Sequence, residues 1–482
     1  MPMPLGPSLA PLFARLLIGV VLTAIPVAQA QAQALTPAET AQVDTLVTAT
    51  LAKTGAPSAS VAIVRGGEIV FARAYGKQSE TMPVANADAP YQIASVSKQF
   101  TAAALLLLEN EGKLSLDDKV SKYIPDITDG DKISLRQLLS HTSGLQDYWP
   151  QDYSFKAMST PVTPQGIVDR WAKKPLDFAP GTQWQYSNTG YVVAGMIVEK
   201  LAGEPLLAYL DRKIFKPLGI KAIDQDLAVG KGYPQGYGRA ALGPVRVATP
   251  AAHGWLFAAG ELSMSARDLA KWNVARLNRS ILPPEDWAAQ ETAVKLTDGS
   301  SNGYGLGVAT GNLNGRRYVE HSGEAVGFLS ENIVFPDEKA AVTVLVNTWS
   351  GDSYQEIAQG IIKTVLPPPP ADAADTAAAK KMRAVFDQLR AGTLDRGLLT
   401  EDADFYFTPD VLADFRNSLA PLGKITDFTQ MGKTRLRGGF VNRNYRVTFA
   451  DRAVGISTYS ELGDSTGTGG RIEQFLVAQV QK

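Results

Sequence analysis

The residues Ser95-Val96-Ser97-Lys98 open a run from Gln99 to Glu111 that holds Ala102-Ala103-Ala104-Leu105-Leu106-Leu107-Leu108 with no interior Gly or Pro. A run that is apolar on every side predicts a helix buried in a core, not one lying on a surface. Gly112 is placed to end it. The irregular stretch Ala89-Pro90-Tyr91-Gln92-Ile93-Ala94 precedes it, so Ser95 is expected at the N-terminal end of a rigid helix. Lys98, three residues on, shares its face. A serine hydroxyl is a weak nucleophile until a base takes its proton. A lysine, ordinarily with a pKa of ~10.4, can be that base once burial or positive neighbours lower its pKa. Unpaired N–H groups at the helix start favour an oxyanion nearby. Ser-x-x-Lys also arises from ordinary composition, so the reading needs support elsewhere in the chain.

Composition narrows the field. A chain of 482 residues predicts two folded units, and 45% hydrophobic residues suffice for a sizeable core. A net charge of −1 gives no reason to expect nucleic acid or an acidic membrane as a partner. The absence of Cys excludes disulfides, thiolate nucleophiles and Cys-based metal sites. His141, His253 and His321 are far apart with no His-x-x-x-His spacing, so no metal site is expected. At the N-terminus, Arg15 precedes an apolar run, Leu16 to Ala28, too short to span a bilayer comfortably. Small residues then alternate, so that Ala30, Ala32 and Ala34 each suit the last position before a cleavage. Residues 1–30 read as a secretory signal peptide, with an uncleaved anchor as the alternative. The mature protein is expected in the periplasm or secreted, without stable membrane insertion.

Working outward from Ser95, Thr36 to Lys53 has helical spacing, and Ser58–Val64 and Glu68–Tyr75 flank the hairpin turn Arg65-Gly66-Gly67. Helices are expected from about Gly190 to Leu201 and from Ser263 to Asn278, the latter capped near Ser265. From Gly303 the hydrophobic period changes to two. Tyr304–Thr310, Arg317–His321, Phe328–Phe335 and Ala340–Asn347 read as strands, and Ser353–Val365 as a helix. The fold class is therefore α/β: a layered domain over 36–366, its antiparallel sheet built from both ends of the segment and flanked by helices, plus an all-helical region. Pro367-Pro368-Pro369-Pro370 begins a Pro/Ala linker, 367–376. Beyond it, over 377–482, two helices precede strands at Ile425–Leu436, Phe440–Phe449, Ala453–Glu461 and Arg471–Val480, a small α+β domain.

Two further pieces fall in order behind Ser95 and Lys98: Tyr186-Ser187-Asn188 and His321-Ser322-Gly323. The set resembles the serine β-lactamase and penicillin-binding-protein superfamily, whose elements are Ser-x-x-Lys, a Ser/Tyr-x-Asn loop and a Lys-Thr-Gly-type strand. Tyr in the second element points to the class C-like branch, which includes esterases and D-aminopeptidases. Leu138-Leu139-Ser140-His141-Thr142-Ser143-Gly144-Leu145 and the run Ala259 to Leu269 are similar to that branch too. The resemblance covers about residues 36–366 and implies a β-lactamase-like layered domain. It implies Ser95, Lys98 and Tyr186 as catalytic residues, with Tyr186 acting as phenolate or through a proton shared with Lys98. It implies Asn188, His321, Ser322 and Gly323 as substrate-binding, Asn188 bridging Lys98 and the substrate amide. The backbone N–H groups of Ser95 and Glu324 are implied as the oxyanion hole. Asn188 also suits an N-cap, Gly323 suits close substrate approach, and His141 reads as structural in its turn. The C-terminal domain resembles a nuclear-transport-factor-like cone and reads as a docking or stabilising module.

The function expected is an exported serine hydrolase working through an acyl-enzyme on Ser95, without metal or organic cofactor, on a small-molecule or peptide substrate. His321 stands where the family's usual Lys would offer a fixed charge to a substrate carboxylate. Glu324 adds negative charge nearby, whereas strand alternation points Glu320 away. An ester or a D-amino-acid peptide is therefore favoured over a β-lactam. The alternatives are a class C-like β-lactamase or D,D-carboxypeptidase, and, from another class, a penicillin-recognising sensor that acylates without turnover.

Overall fold

Ser58–Arg65 reads Ser-Ala-Ser-Val-Ala-Ile-Val-Arg, and in the computed structural model it is a strand buried on both faces. The structure describes residues 34–151, 153–241, 243–313, 315–349, 351–366, 373–462 and 470–479. The expected signal segment lies outside them. The neighbours of Ser58–Arg65 are Glu68–Gly76 and Ala340–Val346, both antiparallel. The sheet continues through Phe328–Phe335 and Arg316–Ala325 to Ala309–Leu313, six strands drawn from both ends of the unit. Alternation divides the core. Ala59, Val61 and Ile63 face Val47 of the helix Pro37–Thr54 and Ile357 and Ile361 of the helix Ser353–Val365. Ala62 and Val64 face a larger core that includes Phe100, Leu105, Ile197 and Trp272.

The helix Lys98–Asn110 belongs to that larger core and is buried from Lys98 through Leu106. Its start differs from the expectation. Ala94–Ser97 forms a 3₁₀ turn, so Ser95 sits in a tight turn just before the α-helix instead of in its first turn. The helix Asn188–Ala202 is capped by the Ser187 hydroxyl, which accepts from the Gly190 N–H. Ser187 thus takes the N-cap role that the sequence suggests for Asn188.

Two strand expectations need correction. Tyr304–Thr310 is not one strand; Tyr304 makes a single bridge to Ala309, and the strand begins at Ala309. The glycines there serve a close approach instead. A Cβ on Gly307 would stand 2.8 Å from the Lys98 carbonyl oxygen. The N–H groups of Leu306 and Gly307 bond to the carbonyls of Gln290 and Leu139, in the helical region and not in a ladder. The strand carrying His321-Ser322-Gly323 does not end at the motif but runs on to Ala325.

The chain divides after Pro367 into two units. In the second, the helix Ala373–Ala391 begins inside the expected linker 367–376. Asp375 in its first turn ties it down, pairing with Arg443 at 2.7 Å and accepting from Thr434 at 2.9 Å. Four antiparallel strands, Asp427–Arg437, Phe440–Thr448, Ala453–Glu461 and Ile472–Gln479, lie in sequence order. Val385, Phe386 and Leu389 pack with Tyr445, Val447, Ile456 and Phe475.

Each unit therefore has a core of its own. A chain covering residues 34–366 should be soluble and unfold in one cooperative thermal transition. An insoluble or non-cooperative product would show that the second unit completes the first.

Candidate active site

The turn that carries Ser95 is strained. Ala94 has φ +49°, a left-handed conformation that a non-glycine residue holds only when its surroundings dictate it. Here they do. The Ile93 N–H donates to the Leu262 carbonyl at 3.0 Å, and the Val96 N–H to the Ile93 carbonyl at 3.2 Å. The Ser330 hydroxyl donates to the same Ile93 carbonyl at 3.0 Å. The strand bearing Gly323 lies directly against this turn. A Cβ on Gly323 would stand 2.3 Å from both the Ile93 carbonyl oxygen and the Ser330 Oγ. The missing side chain thus admits the turn itself, where the sequence alone suggests room for a substrate.

Lys98 is fully buried, and its Nζ lies 3.1 Å from Ser95 Oγ, 2.7 Å from Asn188 Oδ1 and 2.8 Å from the Ala259 carbonyl oxygen. Two of these partners, a carboxamide oxygen and a backbone carbonyl, can only accept. A neutral amine therefore keeps its two protons on them and turns its lone pair to the Ser95 hydroxyl. Burial pulls the Lys98 pKa down to about 7, with the Asp147 carboxylate opposing. Burial drives the Tyr186 hydroxyl far above the usual phenol range, the Ser95 hydroxyl working against that and the Asp147 charge adding to it. Its ring centre lies 4.8 Å from Lys98 Nζ. The phenolate form suggested by the sequence is thus disfavoured, and the available lone pair near neutral pH is that of Lys98.

Asp147 was not legible in the sequence as a site residue. It follows the Leu138–Leu145 run by two positions, and only the tertiary fold brings it to Asn188. Asn188 Nδ2 lies 3.2 Å from each carboxylate oxygen, and the N–H groups of Asn188 and Trp149 donate to Oδ1, each at 3.1 Å. Asp147 thereby aims the Asn188 carboxamide oxygen at Lys98. Burial raises the Asp147 pKa, while these N–H donors and Lys98 hold it down.

Along the strand Arg316–Ala325, His321, Gly323 and Ala325 are buried while Ser322 and Glu324 are exposed. Its edge neighbour pairs only as far as Glu320, and the strand also packs against the turn Ala94–Ser97 that carries Ser95. The cleft between the motifs, about 470 Å³, is lined by Ser95, Tyr186 and Asn188 together with Asp147, His321, Ser322, Glu324 and Trp349. The Trp349 indole N–H donates to the Glu324 carboxylate. His321 turns both ring nitrogens to protein. Nε2 lies 2.7 Å from the Tyr304 hydroxyl and Nδ1 2.5 Å from the Ser322 carbonyl oxygen. It therefore has no ring nitrogen left for the substrate contact the sequence suggests. Burial, with the neighbouring Lys98, lowers its pKa to about 3, so it is neutral. Among the described residues, Asp224, Asp226 and His253 have metal-ligand chemistry, but Asp226 Oδ2 already accepts from the Gly254 N–H at 2.8 Å and pairs with His253 at 2.7 Å.

The family model described as Beta-lactamase matches residues 43–366. Penicillin-binding protein 4* of Bacillus subtilis (strain 168) is 26% identical over 344 residues, 68% of this chain and 76% of that protein. Protein flp of Staphylococcus aureus (strain NCTC 8325 / PS 47) is 28% identical over 320 residues, 64% of this chain but only 62%, less than two thirds, of its own length. The solved structure of a D-stereospecific amidohydrolase from Streptomyces sp. aligns with a TM-score of 0.58 at 30% identity, over 69% of this chain and 99% of that one.

If the Lys98 amine takes the Ser95 proton, acylation by a fluorophosphonate should rise with pH and level off, with an apparent pKa near the value of about 7 for Lys98. The sign follows from the amine being the active form. Lys98→Ala should cost about 10²–10⁴ in rate. A rate that is flat across the neutral range, or a Lys98→Ala protein labelled at the wild-type rate, would rule Lys98 out as the base.

Proposed function

The chain belongs to the beta-lactamase family and is a serine hydrolase, and from that premise we propose that it is an exported enzyme cleaving D-aminoacyl amides, peptides or esters through an acyl-enzyme on Ser95. The Lys98 amine takes the Ser95 proton as Oγ attacks the carbonyl carbon. The N–H groups of Ser95 and Glu324 stabilise the oxyanion. The proton returns by way of Tyr186 to the leaving nitrogen or oxygen, and the C–N or C–O bond breaks. Water, deprotonated by the same amine, then releases the acid and restores Ser95.

The observation that carries the substrate class is the charge along the cleft. Among the described residues its lining includes the carboxylates of Asp147 and Glu324 and no Arg or Lys; Lys98 lies buried behind Ser95. A substrate ammonium is favoured beside these carboxylates, and a substrate carboxylate is repelled. β-Lactams and peptides ending in D-alanine bring a carboxylate, whereas an aminoacyl amide or ester brings an ammonium. The D configuration is supported by the likeness to the Streptomyces sp. amidohydrolase. Export is supported by the apolar run Leu16–Ala28 and the alternating alanines after it.

The test compares kcat/KM for D-alanyl p-nitroanilide, its N-acetyl derivative and a chromogenic cephalosporin. The free amine should be the best substrate, and acetylation should cost roughly tenfold or more, about 1.4 kcal/mol of lost charge pairing. A cephalosporin turned over faster than the amine, or an acetylated substrate turned over equally well, would overturn the assignment. The exported protein should begin just after Ala30, Ala32 or Ala34 by intact mass; a chain retaining Leu16–Ala28 would contradict signal cleavage.

A further inference from the structure

Behind the cleft, three side chains from distant parts of the chain meet in a row. His141 Nδ1 lies 3.1 Å from the Ser187 N–H. A backbone N–H can only donate, so Nδ1 accepts, and a neutral ring must then carry its proton on Nε2. That nitrogen faces the Tyr304 hydroxyl at 3.2 Å. At the other end, His321 Nδ1 faces the Ser322 carbonyl at 2.5 Å. A carbonyl can only accept, so Nδ1 carries the proton and Nε2 is bare. The bare nitrogen lies 2.7 Å from the same Tyr304 hydroxyl. Tyr304 thus receives a proton contact from His141 and donates its own to His321. The partners at the two ends fix opposite tautomers in the two imidazoles. Burial, with Lys98 close by, holds both rings neutral.

We propose that His141 and Tyr304 are positioning residues for the hydrolytic site. One relay, from Ser187 N–H through His141, Tyr304 and His321 to the Ser322 carbonyl, clamps the loop carrying Tyr186 and Asn188 to the strand carrying Ser322 and Glu324. The two ends belong to different layers, a helix N-terminus and a sheet edge, and the reacting carbonyl must fit between them. His141 also lies against the Tyr186 ring, with centroids 4.1 Å apart at 33°, so it orients the phenol directly. His141 itself has φ +59°, a strained backbone kept in place where its ring is needed. The activity arm of this proposal rests on Ser95 being the nucleophile; the tautomer arm does not.

The protein has only three histidines, so ¹⁵N-imidazole labelling resolves them, with His253→Gln assigning the third. At pH 7 one buried ring should show its proton on Nε2 and the other on Nδ1, neither as imidazolium. Tyr304→Phe keeps the ring and removes the shared oxygen. It should leave the tautomers that the end partners fix, shift the Nε2 resonances of both rings as they lose their shared partner, and slow fluorophosphonate acylation roughly 10- to 100-fold, the scale of a misplaced reacting group, while the cooperative thermal transition persists. His141 protonated on Nδ1, either buried ring charged at pH 7, or Tyr304→Phe acylating at the wild-type rate would overturn the relay. Should the variant not fold, the wild-type tautomers decide the matter. Absence of labelling in the wild-type protein would strike the role of Ser95 and leave the tautomer result standing.

Discussion

The burial of Lys98 is the constraint on which the site depends. An ammonium sealed from water is costly unless its protons are matched by acceptors. The fold supplies two fixed acceptors, the Asn188 carboxamide and the Ala259 carbonyl, and leaves the third direction to Ser95. The arrangement suits either protonation state, which is what a base that must accept and return a proton requires. It also couples distant segments. Asn188 is aimed by Asp147, Ala259 precedes the strand Leu262–Met264, and the Ile93 N–H bonds to that strand at the Leu262 carbonyl. The seat of the lysine and the strained turn of the serine are thus parts of one framework.

The same framework accounts for the charge of the cleft. With Lys98 partly discharged by burial, and His321 neutral for the same reason, Asp147 and Glu324 set the field. A neutral His321 is more than a missing cation. Its nitrogens are engaged by Tyr304 and the Ser322 backbone, so the third motif offers a substrate its backbone edge and the Ser322 hydroxyl, with no fixed positive charge. The proposed specificity follows from what is absent at that position and what is present at two others.

The fold class and the three motifs were legible because each rests on a local signal. The buried helix after Ser95 shows as an uninterrupted apolar run, and the sheet as a change of period after Gly303. What could not be read depends on tertiary approach. Gly305 and Gly307 look like part of a strand until the carbonyls of Gln290 and Lys98 are seen to need the space. Gly323 looks like an opening for substrate until the Ser95 turn is seen to fill it. Asp147, Tyr304 and the working role of His141 carry no spacing signal, since their partners lie in remote segments. The beginning of the helix at Ala373, inside an apparent linker, depends on Asp375 meeting Arg443.

The proposed reaction passes through a covalent bond between substrate and Ser95. The most direct measurement is to quench turnover of an activated D-aminoacyl ester with acid and map the acylated peptide by mass spectrometry, in parallel with Ser95→Ala. The adduct should fall on the peptide containing Ser95, reach its full level within the mixing time at alkaline pH, and vanish in the variant. An adduct on Ser97 or Ser143, or one that persists unchanged in Ser95→Ala, would contradict it.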